Sequence, residues 1–298
     1  MTGRPGQPFT IGPRVRTSDG VGIATYDLGG AGPTLLLAHA TGLHGLVWLP
    51  LADHLRGRFH CQSFDLRGHG RSDKDPSGGY DWSGFALDTM AVIDDLGLGR
   101  CLAVGHSCGG AALLLTEEAE PGRFEAMYCW EPVVPSALGP AQALSADGLA
   151  PSARRRREVF ASRDDAYANY VRKPPFSTFD PATVRAYVDY GFEDLADGTI
   201  RLRCRGEDEA RAYEAAASNG VWPKLALVAA PTTLACGGPG AHFGEPAISA
   251  IAARLPSVRT EVFEELDHFG PLERPAEVAA SIINALGSTS GEATPSPS

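Results

Sequence analysis

A serine stands between two glycines in the segment Gly105-His106-Ser107-Cys108-Gly109, which fits the pattern G-x-S-x-G. In such a pattern the serine attacks a carbonyl carbon once a neighbouring imidazole accepts its proton. Because short glycine patterns recur by chance, the flanking segments decide the meaning. Apolar residues 101–104 predict a strand before the serine, and residues 110–119 predict a helix after it. This order predicts a sharp strand-to-helix turn that presents the Ser107 hydroxyl as a nucleophile.

The elements that position this serine alternate along much of the chain. Residues 14–28 predict a hairpin around Ser18-Asp19-Gly20. Strands are predicted at residues 34–38, 59–64, 101–104, 124–130, 232–236 and 259–266, and helices at residues 47–55, 82–96, 111–119, 245–255 and 275–286. Apolar strands that alternate with helices predict an α/β fold, a mostly parallel central sheet covered by helices on both faces.

One segment, residues 135–224, interrupts this alternation and is richer in charge and in aromatic residues. Its helix-like stretches are broken by Pro174-Pro175 and Pro181. We interpret it as an inserted helical cap, or lid, with residues 1–134 and 225–287 forming the core. Residues 288–298 are small, polar and proline-containing, which predicts a flexible tail.

Four motifs together resemble a known superfamily. They are His39-Ala40-Thr41-Gly42, the segment DLRGHGRS at 65–72, the segment GHSCGG at 105–110, and Asp267-His268-Phe269-Gly270-Pro271 before Glu273-Arg274-Pro275. In order and spacing the chain resembles the α/β-hydrolase superfamily of serine hydrolases with a helical lid, from about residue 10 to residue 287. The resemblance implies the α/β-hydrolase fold and cofactor-free catalysis, and it makes His39 and His69 architectural.

His268 is the candidate base among the eight histidines. It follows the last predicted strand, and the chain order serine, acid, histidine is that of this fold. Its imidazole would take the proton of Ser107 and later give it to the leaving group.

The acid departs from the commoner pattern of the superfamily, which supplies it from the loop after strand 232–236. That loop, residues 237–243, contains no carboxylate, and Glu245 beyond it opens a predicted helix. The other position used in the superfamily is the end of the preceding core strand, where Glu131 stands. We therefore predict that Glu131 orients His268, whereas Asp267, as an immediate neighbour, rarely has the geometry to grip its ring.

Two backbone N–H groups are expected to stabilise the oxyanion that acyl transfer creates. One belongs to Cys108, the residue after the nucleophile. The other, by resemblance, belongs to Thr41. The Cys108 side chain itself is expected to act as a small apolar filler.

The substrate pocket is expected to be apolar and aromatic beneath the cap. The candidates for its lining are Trp48, Trp130, Phe176, Phe179, Tyr187 and Phe192. The run Arg154-Arg155-Arg156-Arg157 could clamp an anionic group. Since four consecutive residues point all round a helix, a solvated cap surface is the favoured interpretation.

Composition excludes several classes of function. The 298 residues carry 26 Lys and Arg against 36 Asp and Glu, so a net charge of −10 argues against nucleic-acid and membrane-surface partners. Residues 28–52 and 225–244 are uncharged over membrane-spanning length, but repeated Gly and Pro favour strands and loops. Six scattered cysteines without C-x-x-C spacing predict free thiols in a reducing cytoplasm and no metal site. Residues 1–16 contain no run of signal-peptide type.

The sequence thus predicts an enzyme that hydrolyses a small hydrophobic ester, lactone or thioester through an acyl-enzyme, without a cofactor. A C–C bond hydrolase acting beside a ketone would use the same residues. A cyclase or a small-molecule receptor on the same scaffold is a third possibility. Turnover of chromogenic esters, together with labelling by a fluorophosphonate, discriminates these.

Overall fold

A computed structural model describes residues 8–138, 146–239 and 243–287. The predicted tail, 288–298, lies outside the described residues. The strands within these ranges are β1 (Thr10–Ile11), β2 (Val15–Arg16), β3 (Gly22–Ile23), β4 (Thr25–Gly30), β5 (Thr34–Ala38), β6 (His60–Phe64), β7 (Cys101–His106), β8 (Phe124–Trp130), β9 (Val159–Phe160), β10 (Phe192–Asp194), β11 (Ile200–Leu202), β12 (Thr232–Gly237) and β13 (Val258–Phe263).

The α-helices of the described residues connect these strands. They are α1 (Leu49–Leu55), α2 (Trp82–Asp95), α3 (Cys108–Ala119), α4 (Ala146–Arg154), α5 (Arg163–Tyr170), α6 (Pro181–Gly191), α7 (Gly206–Ala216), α8 (Gly244–Ala252), α9 (Gly270–Glu273) and α10 (Pro275–Leu286). Short 3-10 helices precede α1 at Gly45–Trp48 and lie at Pro135–Leu138 and Trp222–Leu227.

Eight strands form the central sheet in the order β1-β4-β6-β5-β7-β8-β12-β13. The strands β6, β5, β7, β8, β12 and β13 pair in parallel, whereas β1, β4 and β6 pair antiparallel at one edge. This is the α/β-hydrolase fold, so the predicted fold class is confirmed. The predicted hairpin is the pairing of β2 with β3, which stands apart from the sheet.

The hydrophobic core occupies both faces of the sheet. Side chains alternate along a strand, so Leu35 and Leu37 of β5 pack on one face with residues of α1 and α10. Leu36 and Ala38 pack on the other face with residues of α2, α3 and α8. Strands that are buried on both faces appear in the sequence as continuous apolar runs, which is why the sequence predicted their positions well.

The segment between β8 and β12 contains α4 to α7 and a separate three-stranded sheet in the order β10-β11-β9. None of its described residues pairs with the central sheet. The small antiparallel sheet differs from the mostly helical content that the sequence predicts. Its strands are only two or three residues long, too short to show a period of two.

The DLRGHGRS motif buries a charged network. The Arg67 guanidinium, 2% exposed, pairs with Asp19, Asp75 and Asp88. Burial raises the pKa of Asp88 to about 6, although Arg67 opposes this effect. This network fixes the chain that follows β6, because displacing Arg67 would leave the fully buried Asp88 carboxylate without its cation.

The same motif anchors the loop after β5. The buried carboxylate of Asp65 accepts the N–H groups of Gly45 (2.7 Å) and Arg71 (2.7 Å). His39 accepts the Leu66 N–H at Nε2 (3.0 Å), which leaves Nδ1–H to donate to the Ala40 carbonyl (2.8 Å). The loop that carries Thr41 is therefore held from both sides.

All six cysteines are free and buried. Cys61, Cys101, Cys108, Cys129 and Cys236 lie in the core, and Cys204 lies between β11 and α7. Burial raises the pKa of the Cys61, Cys101 and Cys129 thiols to about 12. These thiols are neutral packing groups. Within the described residues, no helix is both long enough and apolar enough to span a membrane.

One carboxylate in the core has no partner. Glu118, near the end of α3, is 7% exposed, and neither of its carboxylate oxygens has a hydrogen-bond partner among the described residues. Burial raises its pKa to about 8, and the charge of Lys224 opposes this only in part. Its neighbour Glu117 accepts the N–H groups of Gly122 (2.7 Å) and Phe124 (3.2 Å) instead.

Glu118 makes the stability of the fold depend on pH. The folded chain holds its proton up to about pH 8, whereas the unfolded chain releases it near the ordinary pKa of 4.5. Stability is therefore lost as the pH rises between these two values. Glu118→Gln is expected to raise Tm by about 3 °C at about pH 8.5 and by little at about pH 4.5, measured by scanning calorimetry.

Glu117→Gln is the matched control. It weakens two hydrogen bonds to backbone N–H groups, so Tm is expected to fall at both pH values. A gain for Glu118→Gln of the same size at both pH values would contradict the prediction.

Candidate active site

Ser107 occupies a strained turn between β7 and α3. Its backbone has φ 56° and ψ −115°, and the one other non-glycine residue with positive φ among the described residues is Glu131. The Ser107 N–H donates to the Trp130 carbonyl (2.9 Å), and the Ser107 carbonyl accepts from Ala111 (3.1 Å) and Val133 (3.2 Å). These bonds hold a conformation that costs about 1–3 kcal/mol at such sites.

Two close approaches of the backbone explain the glycines of the pattern. A Cβ on Gly109 would lie 2.2 Å from the Ala38 carbonyl oxygen, and a Cβ on Gly105 would lie 2.6 Å from the Gly110 Cα. Only glycine lets α3 begin this close to the ends of β5 and β7. The turn thus requires both glycines on either side of Ser107.

The structure brings His268 and Glu131 together. The distance from His268 Nδ1 to Glu131 Oε2 is 2.7 Å, and Glu131 is fully buried. Its oxygens also accept the N–H groups of Gly237 (2.9 Å) and Phe243 (3.3 Å). Burial raises the pKa of Glu131, but His268 and these two N–H groups outweigh it, so the pKa lies below its ordinary value. In the neutral imidazole, the ionised carboxylate favours the tautomer with its proton on Nδ1, which makes Nε2 the acceptor.

The main chain of His268 is held by two further rings. Its carbonyl accepts from His106 Nε2 (2.8 Å) and from Trp130 Nε1 (3.0 Å). Burial lowers the pKa of His106 well below its ordinary value, so the ring stays neutral with its proton on Nε2. Sequence reasoning missed this role of His106. His106 and Trp130 are paired at the ends of β7 and β8, and no pattern in the sequence indicates that register.

The two residues predicted for the oxyanion hole are neighbours. Thr41 lies in the loop after β5, Cys108 begins α3, and Thr41 lowers the pKa of the Cys108 thiol. Burial nevertheless raises the pKa of this thiol to about 12. The first N–H groups of a helix have no intrahelical acceptor, so the start of α3 can offer donors to an anion.

Ser107 and His268 line one cavity, here called the inner cavity, of about 330 Å³. Its wall is mostly apolar and includes Trp82, Val133 and Phe269. Such a space suits a small acyl group beside the serine.

A larger space of about 620 Å³, here called the outer cavity, adjoins the inner one. The residues common to both walls are Thr41, Leu149, Pro174, Pro175, Tyr213 and Phe269. The two cavities therefore share a largely apolar boundary, here called the neck, much of it contributed by the segment between β8 and β12.

Two of the six aromatic residues predicted for the pocket, Phe176 and Phe179, line the outer cavity. The other four line neither cavity and are corrected here. Trp48 packs against His106, and Trp130 binds the His268 carbonyl from behind.

Tyr187 and Phe192, the remaining two, belong to the core between the segment 135–224 and the sheet. Tyr187 stacks on His44, and its hydroxyl accepts from Arg156 (2.5 Å). Phe192 packs edge-on against Phe160. Aromatic type alone does not distinguish a core residue from a pocket residue, which explains these errors.

The four consecutive arginines, 154–157, lie in different environments. Arg154 pairs on the surface with Glu207 and Glu214, as a solvated surface predicts. Arg156 is instead largely buried, where it pairs with Glu209 and donates to Tyr170 (3.3 Å) and Tyr187. The solvated interpretation is therefore wrong for Arg156.

The remaining two arginines, Arg155 and Arg157, are exposed and line the outer cavity. Over the described ranges, no group of three or more His, Cys, Asp or Glu side chains is placed to hold a metal ion.

Comparison with protein families gives one clear result. The family model described as "Alpha/beta hydrolase family" matches residues 35–281. Lipase LipV of Mycobacterium tuberculosis is 29% identical over 270 residues, 87% of this chain and 95% of that protein.

Two other curated relatives match over shorter stretches. The 2-(acetamidomethylene)succinate hydrolase of Mesorhizobium japonicum is 40% identical over 80 residues, 27% of this chain and 28% of that protein. The Karrikin insensitive 2 receptor CA of Petunia hybrida is 31% identical over 100 residues, 33% of this chain and 37% of the receptor. The chain thus matches less than two thirds of the length of either protein.

Among solved structures, E-2-(acetamidomethylene)succinate hydrolase superposes with a TM-score of 0.80 at 22% identity. The superposition covers 94% of this chain and 99% of that one. At this identity the likeness is one of fold.

Proposed function

The chain belongs to the alpha/beta hydrolase family, and from that premise we propose that it is a cofactor-independent serine hydrolase that acts through an acyl-enzyme. The observation that carries the proposal is the 2.7 Å bond between His268 Nδ1 and the buried carboxylate of Glu131. With Ser107 and His268 in the wall of one cavity, the site has a nucleophile, a base and an orienting acid.

In the first step, Nε2 of His268 takes the hydroxyl proton of Ser107 as the Ser107 oxygen attacks the carbonyl carbon of the substrate. The carbonyl π electrons move to its oxygen, and the backbone N–H groups of Thr41 and Cys108 stabilise this oxyanion. Glu131 stabilises the imidazolium that forms on His268, and it does so without taking the proton.

In the second step, His268 gives its proton to the leaving group and the acyl-enzyme forms. Water then enters, loses a proton to His268 and attacks the same carbonyl carbon. Collapse of the second tetrahedral intermediate releases the acid and returns the proton to Ser107. Each step uses the same base and the same oxyanion donors, and no cofactor enters.

We further propose that residues 135–224 act as a cap whose inner surface selects the substrate. Leu149, Pro174 and Pro175, all from this segment, lie in the neck between the two cavities. The substrate proposed is a small molecule, an ester, lactone or thioester with a mostly apolar acyl portion, because the wall around Ser107 is mostly apolar. The similarity to Lipase LipV over nearly its whole length favours ester hydrolysis.

A fluorophosphonate probe combined with a panel of chromogenic esters tests the proposal. We expect covalent labelling at one site, mapped to the peptide that contains Ser107, and steady turnover of short-chain esters. Ser152, which lines the outer cavity, provides the internal control and is expected to stay unlabelled.

The same experiment separates the alternatives. A receptor, as one partly similar relative is named, would be labelled but would turn over ester slowly. A C–C bond hydrolase would also be labelled but would turn over the esters slowly, and a ketone substrate added to the panel, which it would cleave faster than the esters, distinguishes it from a receptor. Absence of labelling at Ser107 would contradict the serine mechanism altogether.

A further inference from the structure

The outer cavity differs in charge from the protein as a whole. The chain carries a net charge of −10, yet Arg155, Arg156, Arg157 and Lys173 line this cavity together with one carboxylate, that of Glu209. The cavity next to the one that contains the proposed catalytic serine is thus positively charged, although the protein as a whole is acidic.

Two of these cations are already compensated. Arg156 pairs with Glu209, which also accepts from the Tyr213 hydroxyl (3.2 Å). Arg157 pairs with Asp165 (3.2 Å), and its guanidinium lies over the Phe160 ring at 4.2 Å.

The other two cations are not compensated. Among the described residues, no carboxylate forms an ion pair with either Arg155 or Lys173. The Lys173 ammonium donates to the neutral amide oxygen of Asn169 (2.9 Å), which leaves its charge in place. Both side chains are exposed at the cavity wall, where they can meet a ligand.

The inner cavity has no Lys or Arg among the described residues of its wall. Asp267 lines it beside His268, with one carboxylate oxygen accepting the Phe269 N–H (2.7 Å). The positive charge in the outer cavity favours an anionic end group there, and the Asp267 carboxylate disfavours such a group in the inner cavity that it lines. A substrate with one anionic end would therefore bind with its neutral reacting carbonyl at Ser107.

We propose that Arg155 and Lys173 form an anion-binding subsite, and that the substrate is an ester with a carboxylate or phosphate separated from its reacting carbonyl by an apolar spacer. This inference rests on the proposed hydrolase function and names its substrate class. The spacer would occupy the neck formed by Leu149, Pro174 and Pro175.

Paired esters test the subsite. We compare kcat/KM for p-nitrophenyl esters of dicarboxylic acids, from succinate to suberate, with that for the same esters methylated at the free carboxylate. We expect the ratio of anionic to neutral ester to exceed one in the wild type. It is expected to fall by about tenfold in the double variant Arg155→Gln, Lys173→Gln, and to fall with about 0.5 M salt in the wild type.

Arg154→Gln is the matched control. Arg154 adjoins Arg155 but lines neither cavity, and it pairs with Glu207 and Glu214 on the surface. The substitution removes one positive charge next to Arg155 without altering either cavity wall, so its ratio is expected to equal that of the wild type. An unchanged ratio in the double variant, or an equal fall with Arg154→Gln, would overturn the proposal.

Calorimetric binding of hexanoate, hexyl phosphate and hexanol separates this proposal from the proposed function. Either anion is expected to bind the wild-type protein more tightly than hexanol and to lose that advantage in the double variant, whether or not any ester is hydrolysed. Whichever of the two anions binds more tightly identifies the anionic group of the substrate as carboxylate or phosphate. Equal binding of all three compounds would reject the subsite, whereas absent turnover with selective anion binding would reject only the hydrolase function.

Discussion

Ser107→Ala is expected to lower kcat for a neutral chromogenic ester by about 10³-fold or more. The substitution removes the attacking oxygen, and no other group in the inner cavity combines a hydroxyl with the strained position between β7 and α3. The residual activity of the variant would come from the oxyanion donors and from substrate binding. Tm is expected to stay close to that of the wild type, because alanine keeps the Cβ and the three backbone hydrogen bonds of this turn.

Ser152→Ala serves as the control for Ser107→Ala. Ser152 lines the outer cavity but not the space that contains His268, so this variant is expected to retain its kcat. A Ser107→Ala variant with more than about a tenth of wild-type activity would show that another group is the nucleophile.

Glu131→Gln is expected to lower kcat by about 10²–10⁴-fold, by analogy with the serine-protease triad. The amide keeps the size of the carboxylate but can present an N–H to His268 Nδ1, which favours the wrong imidazole tautomer. The measurement is kcat for Glu131→Gln beside Asp267→Asn and Glu245→Gln. The Asp267 carboxylate accepts the Phe269 N–H rather than the His268 ring, so its loss is expected to cost far less.

The comparison among these variants identifies the acid. Near wild-type activity in Glu131→Gln together with a crippled Asp267→Asn or Glu245→Gln would show that the acid is misassigned. Full activity in all three would mean that His268 works without a carboxylate. Gly238→Asp is not expected to restore the acid from the loop after β12, because a Cβ at Gly238 would lie 2.4 Å from the Glu264 carbonyl oxygen.

The sequence predicted the sheet and the serine turn well because both depend on local patterns. Four apolar residues after Thr34 form β5 within its predicted bounds, and two glycines with a serine between them specify the turn. The pairing of Glu131 with His268 spans 137 positions, so no local pattern carries it. It was reached through the absence of a carboxylate in residues 237–243 and through resemblance.

The pocket could not be predicted in the same way. Trp48 and Phe176 look alike as aromatic residues in a sequence, yet one is enclosed in the core and the other lines the outer cavity. The difference arises from how the segment between β8 and β12 packs against the sheet. Burial of Arg156 beside Glu209 follows from the same packing, and four arginines in a row gave no indication of it.

Because all six thiols are buried, the rate at which each one is chemically modified reports how often the structure around it opens. A thiol reagent cannot reach a neutral, enclosed sulfur, so the rate of modification measures how often each region exposes it. Cys204 belongs to the segment between β8 and β12, and the other five cysteines belong to the core. Mass spectrometry of partially alkylated protein would therefore measure the opening rate of that segment separately from the rate of global unfolding. No cysteine needs to be introduced for this measurement.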